Sequence, residues 1–286
     1  MLKRQTSGEV ACLSCRQQVS VKETRCPHCG RKNPSLWGYA QTLQQFGLDL
    51  GVVSLITWGC IGLYLVTLVA DWQNIGMSGG FLGFLSPSLA SLVAFGATGA
   101  MPVFALHRWW TVLSATWLHG SLLHIAFNLL WVRHLAPDIA YGYGAARLLI
   151  IFILSGATGA FLTSGAGEYL TGFLRGAPLA VGASGGVFGL FGALVSYGHA
   201  TQDTVVRKTG LVYALVGFVY GLLVPNVDNW GHFGGFLGGL LLTQLPGFHP
   251  LQPEKQWHWL GAVVLFLLTV GSVVFSVVHL WLLARG

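Results

Sequence analysis

Four side chains able to do chemistry lie in apolar, glycine-rich surroundings. Ser184 sits in Val181-Gly182-Ala183-Ser184-Gly185-Gly186-Val187-Phe188-Gly189, His124 and Asn128 in Leu122-Leu123-His124-Ile125-Ala126-Phe127-Asn128, and His232 in Gly231-His232-Phe233-Gly234-Gly235-Phe236-Leu237-Gly238-Gly239. A serine hydroxyl becomes a nucleophile when a neutral imidazole takes its proton. Imidazole and amide N–H groups, with a backbone N–H, can then hold the oxyanion that forms. His124 and Asn128 are spaced i and i+4, on one face of a helix. His119 is five residues earlier, about 140° round the helix, and is expected to face elsewhere. Gly235 with Gly239, and Gly185 with Gly189, have the spacing that lets two helices approach backbone to backbone. This makes His232 the expected base beside Ser184, with His124, Asn128 and the Ser184 N–H as oxyanion donors. Taken alone, the Ser184 stretch reads better as a packing face whose hydroxyl bonds back to a carbonyl one turn earlier. The three stretches together point to chemistry.

A second constellation lies near the N-terminus. Cys12-Leu13-Ser14-Cys15 and Cys26-Pro27-His28-Cys29 are two CxxC pairs ten residues apart. That spacing can close four thiolates round one tetrahedral zinc ion. So short a segment buries little core, and metal binding would supply much of its folding free energy. A redox CxxC needs no matching second pair, which disfavours that alternative. His28 reads as a bystander, because four cysteines complete the shell. Cys60 falls in an apolar stretch and reads as a small core residue.

The elements that carry these groups are apolar helices. The 286 residues are 53% hydrophobic and 8% charged, against a charged share of about 25% in soluble domains. This composition describes a polytopic membrane protein. The formal charge of +6 does not argue for nucleic acid, because Lys and Arg are scattered between apolar segments. Spans are expected at about 49–70, 110–132, 145–163, 179–199, 209–225, 230–245 and 259–283, each near the length a bilayer requires. Residues 72–106 contain no charged side chain and are broken by Gly79-Gly80, Ser86-Pro87-Ser88, Gly96, Gly99 and Pro102. They are expected to form a long interfacial loop rather than a span. With the N-terminus in the cytosol, twelve of the fifteen Lys and Arg residues lie inside, Lys3 among them, and only Arg108, Arg175 and Arg285 outside. This is a positive-inside pattern. It puts Ser184, His232, His124 and Asn128 together in the outer half of the bilayer, where buried polar groups suggest function.

At this point the sequence resembles the rhomboid intramembrane serine proteases. The GxSG motif round Ser184, the HxxxxHxxxN pattern of His119, His124 and Asn128, and a later His followed by glycines match that family's signature in order over about 49–245. The resemblance implies a Ser184–His232 dyad without a third acid, and an oxyanion site of His124, Asn128 and backbone. It also implies Phe188 packed on the imidazole, with lateral substrate entry beside span 5 and the 225–229 loop. No Trp is directly followed by Arg, so anchoring of the first outer loop is expected to differ. Trp109-Trp110 is followed by Thr111, Asp138 stands for a usual Glu, and Gly231 precedes His232 where Ala is usual. Asp228, four residues before His232, is the one candidate for a triad acid.

The expected fold is an all-α polytopic membrane protein. A six-helix rhomboid core and a seventh C-terminal span follow a small zinc-ribbon-like module. The expected divisions are a cytosolic module at 1–33, an interfacial linker at 34–48, the protease core at 49–245, and a loop with the added helix at 246–286. The expected activity is intramembrane serine endopeptidase, with Ser184 and His232 catalytic and His124, Asn128 and the Ser184 N–H on the oxyanion. Gly182, Phe188, Gly235 and Gly239 support the site, and Cys12, Cys15, Cys26 and Cys29 hold structural zinc. No catalytic cofactor is expected. Expected partners are transmembrane substrates, the lipid bilayer and a cytosolic partner of the module, with no nucleic acid. The expected location is the plasma (inner) membrane, with the site opening outward and the C-terminus outside. An inactive rhomboid-like binder would be expected to lack Ser184 or His232. A transporter would be expected to show a repeat between its halves or an intramembrane carboxylate beyond the span ends. A zinc protease on His119 and His124 fails on spacing, since a helical pair needs i and i+4.

Overall fold

The computed structural model describes residues 4–44, 49–76 and 83–283. Lys3, Gly79, Gly80 and Arg285 lie outside the described residues, as does the 45–48 end of the expected linker. Strands β1 (Glu9–Ala11) and β2 (Gln18–Ser20) pair antiparallel with Val10 opposite Val19. A short helix, α1 (Ala40–Gln44), closes this module: Ala40 is fully buried in its core, and the Gln44 side chain donates to the Ala11 carbonyl. Much of the expected linker therefore packs on the module.

The remainder is helical. After α2 (Val52–Ala70) come two short helices, α3 (Leu89–Phe95) and α4 (Thr111–Ser114). Then follow α5 (Leu122–Tyr143), α6 (Ala145–Tyr169), α7 (Ser184–Ala200), α8 (Thr204–Leu223), α9 (Asn229–Leu242) and α10 (Gln256–Leu283). Four of these, α2, α6, α8 and α10, are long and apolar enough to cross a membrane. Side-chain caps set several starts, because the first turn of a helix has unpaired N–H groups. Ser88 receives the N–H of Ser91, Ser121 that of His124, Asp203 those of Val205 and Val206, and Asp228 that of Gly231.

Two expectations are corrected. The span expected at about 110–132 is divided: α4 and a 3-10 turn (Ala115–Trp117) end before a loop, and α5 starts only after Ser121. The cap at Ser121 overrides the apolar run that had suggested one helix. The 72–106 segment is more than a loop, since it folds as a 3-10 turn (Trp72–Asn74), α3 and a wider turn (Met101–Ala105). It is fastened to α10. Arg108, almost fully buried, donates to the carbonyls of Val93 and Ser276, Trp110 Nε1 donates to Ser276 Oγ, and Ser272 Oγ donates to the Trp110 carbonyl. The added C-terminal helix thus anchors this loop, in keeping with the expectation that its anchoring differs from a Trp-Arg pair.

Helix α6 is the buried centre, and α8 lies largely exposed at the edge. Helices α7 and α9 meet backbone to backbone. A Cβ on Gly235 would come within 2.8 Å of Gly185 Cα, and one on Gly239 within 2.6 Å of Gly189 Cα. Only glycine permits this approach.

Candidate active site

Ser184 is the first residue of α7, not a turn or two inside a longer span as expected. Residues 179–183 approach as irregular chain, with Ala180 bridged to Thr98 and Gly182 at φ 134° donating its N–H to the Ala115 carbonyl. Because Ser184 opens the helix, its N–H and the next two have no carbonyl one turn back to receive them. They lie at the positive end of the helix dipole, where an anion is stabilised.

His124 faces this turn. Its Nδ1 accepts the Gly120 N–H at 3.3 Å, which leaves the proton of a neutral ring on Nε2. A Cβ on Gly182 would lie 2.6 Å from that Nε2. Glycine at 182 is what lets the imidazole N–H lie against the Ser184 turn. Asn128, buried one turn along α5, donates one amide hydrogen to the His124 carbonyl at 2.8 Å and keeps a second hydrogen. His119 does not face elsewhere. Lying in the loop before α5, it is fully buried with its ring centroid 5.3 Å from that of His124.

His232 lies in the first turn of α9, one turn before the Gly235–Gly185 contact. Phe188, one turn after Ser184, stacks on it with centroids 4.0 Å apart and planes 10° apart. The ring is buried, and its Nδ1 has no hydrogen-bond partner among the described residues. Among the described residues no carboxylate bonds to it. Asp228 instead caps α9: its Oδ1 receives the Gly231 N–H at 3.0 Å and the Thr163 hydroxyl at 2.8 Å. Burial pushes its carboxyl up, opposed by those two donors. A Cβ on residue 231 would lie 2.6 Å from Asp228 Oδ2, so a larger residue there would have to turn the capping carboxylate aside. Among the described residues no hydrogen bond joins Ser184 Oγ to His232.

Reading the sequence missed Thr163 and Gly120. Thr163 is buried in α6, donates to Asp228 and accepts the Ala177 N–H at 3.1 Å. A threonine inside an apolar run carries no signal of such a role. Gly120 could be noticed only as the residue before a capping Ser.

The four cysteines come together at the tips of two turns, one joining β1 to β2 and one between the bridged residues Arg25 and Lys32. Their sulfurs all lie within 4.8 Å of one another, with Cys12–Cys29 at 3.8 Å and Cys15–Cys26 at 3.6 Å. A tetrahedral ion with bonds of about 2.3 Å needs sulfurs about 3.8 Å apart, so the site fits a metal. All four thiols are free, and His28 is not part of the cluster. At Cys26 burial opposes ionisation, but the N–H groups of Cys29 and His28 outweigh it and bring the thiol down to about 7. Burial pushes the Cys29 thiol up.

Apolar helices joined through glycine faces, with Ser184 and His232 in the first turns of two of them, describe a multi-pass helical membrane protein. Residues 106–246 match the family model described as Rhomboid domain. The chain is 30% identical over 194 residues to rhomboid protease GluP of Bacillus subtilis, covering 67% of this chain and 36% of that protein. RHOMBOID-like protein 7 of Arabidopsis thaliana is 32% identical over 179 residues, which is 61% of this chain and 53% of that one. RHOMBOID-like protein 5 from the same plant is 34% identical over 166 residues, 55% and 50% of the two chains. The matches span about a third to a half of these relatives' length. The helices from α4 to α9 carry the match to the rhomboid domain.

Proposed function

We propose that the chain is an intramembrane serine endopeptidase that cuts single-span membrane proteins near the outer end of their transmembrane helix. The observation that supports this reading is the stack of Phe188 on His232, with Phe188 one turn after Ser184 and Ser184 at the start of its helix. His232 takes the Ser184 proton as Oγ attacks the substrate carbonyl. The oxyanion is held by His124 Nε2–H, the spare amide hydrogen of Asn128 and the Ser184 N–H. His232 then returns the proton to the leaving amine, and water hydrolyses the acyl-enzyme by the reverse transfers. The Ser184–His232 bond closes when substrate fills the site, as catalytic hydrogen bonds often do.

The membrane domain has seven spans in this reading, α2 and α5 to α10. The module is cytosolic, the site opens outward, and the C-terminus lies outside, consistent with the Lys and Arg distribution. The proposed membrane is the plasma (inner) membrane. A substrate helix must unwind to present its peptide bond, since the bonds of a regular helix are already paired. Gly, Ala, Ser or Pro near the cut would ease this. Entry is beside α8 and the 225–229 loop, because α8 is the least buried of the four long apolar helices. The four cysteines hold zinc, and catalysis needs no cofactor. A fluorophosphonate probe tests the nucleophile: wild type should be labelled at Ser184 and His232→Ala should not. Labelling elsewhere, or none, would refute the assignment.

A further inference from the structure

The cysteine module has no task in the proposed proteolysis, yet it is docked on the membrane domain. The contact lies at the turn between α5 and α6. There Gly144, at φ 95°, sets the last carbonyls of one helix beside the first N–H groups of the next. Both ends are met by charge. Arg16 donates to the Ala140 carbonyl at 3.3 Å and lies 5.1 Å from the Tyr141 ring centroid, a cation at the negative end of α5. The buried Glu254 carboxylate accepts the Arg147 N–H at 2.9 Å, an anion at the positive end of α6. A Cβ on Gly144 would come within 2.7 Å of Glu254 Oε1, so glycine is needed there. Ser14 Oγ donates to the Glu254 carbonyl at 2.9 Å and receives Arg31 Nη1 at 2.7 Å. The fully buried Arg147 guanidinium donates to the carbonyls of Gly247 and His249 in the same segment, which joins α9 to α10.

The docking side chains are placed by the cysteine turns. Arg16 directly follows Cys15 and is held at φ 61°, with its N–H on the Cys12 carbonyl at 2.9 Å. A non-glycine residue enters this left-handed region only when its surroundings hold it there. The Ser14 N–H points at Cys12 Sγ, 3.4 Å away, and the Arg31 carbonyl accepts the Cys26 N–H at 2.8 Å. The core behind them is Val10, Val19, Val21 and Ala40 with Cys12 and Cys26, too small to hold the turns closed without metal.

We infer that metal loading of the four-cysteine site fastens the module to the membrane domain and fixes the segment between α9 and α10. This does not rest on the proteolytic reading, because its test follows backbone protection and not cleavage. Hydrogen exchange would be measured on the full-length protein in detergent as zinc-loaded, chelated and zinc-restored samples, and on Arg16→Ala. Chelation should raise exchange several-fold in the module and also in residues 137–147 and 247–256, and zinc should reverse it. Arg16→Ala should keep its zinc and its module protection while exchange rises in 137–147. If chelation opens the module but leaves both membrane-domain segments unchanged, or if Arg16→Ala leaves 137–147 unchanged, the inference is wrong.

Discussion

The close approach of α7 and α9 can be tested by adding one methyl group. In Gly235→Ala the new Cβ would lie 2.8 Å from Gly185 Cα and carbonyl carbon, and closer still to the carbonyl oxygen. Ordinary contact begins near 3.4 Å, so the backbones must part by at least 0.6 Å on the carbon contacts and further to clear the oxygen. The gap opens between the helix carrying Ser184 and the helix carrying His232, within a turn of both. A misplacement of about 1 Å costs roughly 10²-fold in rate. Overpacking costs about 1–3 kcal/mol, and the better helix propensity of Ala returns about 1 kcal/mol. Gly235→Ala should therefore cut a model substrate about 10²-fold more slowly while losing at most about 2 kcal/mol of stability. Gly165→Ala is the control, since a Cβ there meets nothing within 4 Å. Initial cleavage rates would be set beside thermal unfolding midpoints of the two variants in the same detergent. Should Gly235→Ala cut within two- or threefold of Gly165→Ala, the packing does not set the Ser–His register.

Removing either His124 or Asn128 by Ala substitution should slow cleavage by about 10²–10³ with the fold retained; a smaller loss would mean that the helix N–H groups carry most of the oxyanion. Asp228→Asn should keep most activity because an amide oxygen can still cap α9, and Asp228→Ala should lose about 1 kcal/mol of stability. A loss with Asp228→Asn as deep as that of His232→Ala would restore the triad reading. Purified protein should carry about one zinc ion, absent from Cys26→Ser/Cys29→Ser on metal analysis. Cleavage should persist in part after chelation, and the survival of zinc in the double variant would exclude these ligands.

The sequence made the helices and the helix-borne partners of the site readable because membrane spans need long apolar runs and polar groups within them stand out. Glycines at i and i+4 announced the α7–α9 contact. What the sequence hid lies in caps and turns. The apolar run from Trp110 continues past Ser121, so hydropathy could not show that Ser121 starts a new helix. His119 was placed on a helix for that reason, and its contact with His124 was missed. The start of α7 at Ser184 follows from the irregular chain at Gly182, whose positive φ cannot be told from the several other glycines nearby. Asp228 was read as a loop acid near His232. Thr163, its partner from α6, lies 65 positions away, beyond any local pattern.

The central claim is that Ser184 and His232 cut a peptide bond in the outer half of the membrane. A single-span substrate tagged at both ends would be incubated with wild type, Ser184→Ala and His232→Ala, each shown to be folded, and the cut mapped by mass spectrometry. The account predicts one cut near the outer end of the span with wild type and none with either variant. Equal cleavage by Ser184→Ala, or a cut on the cytosolic side, would contradict it.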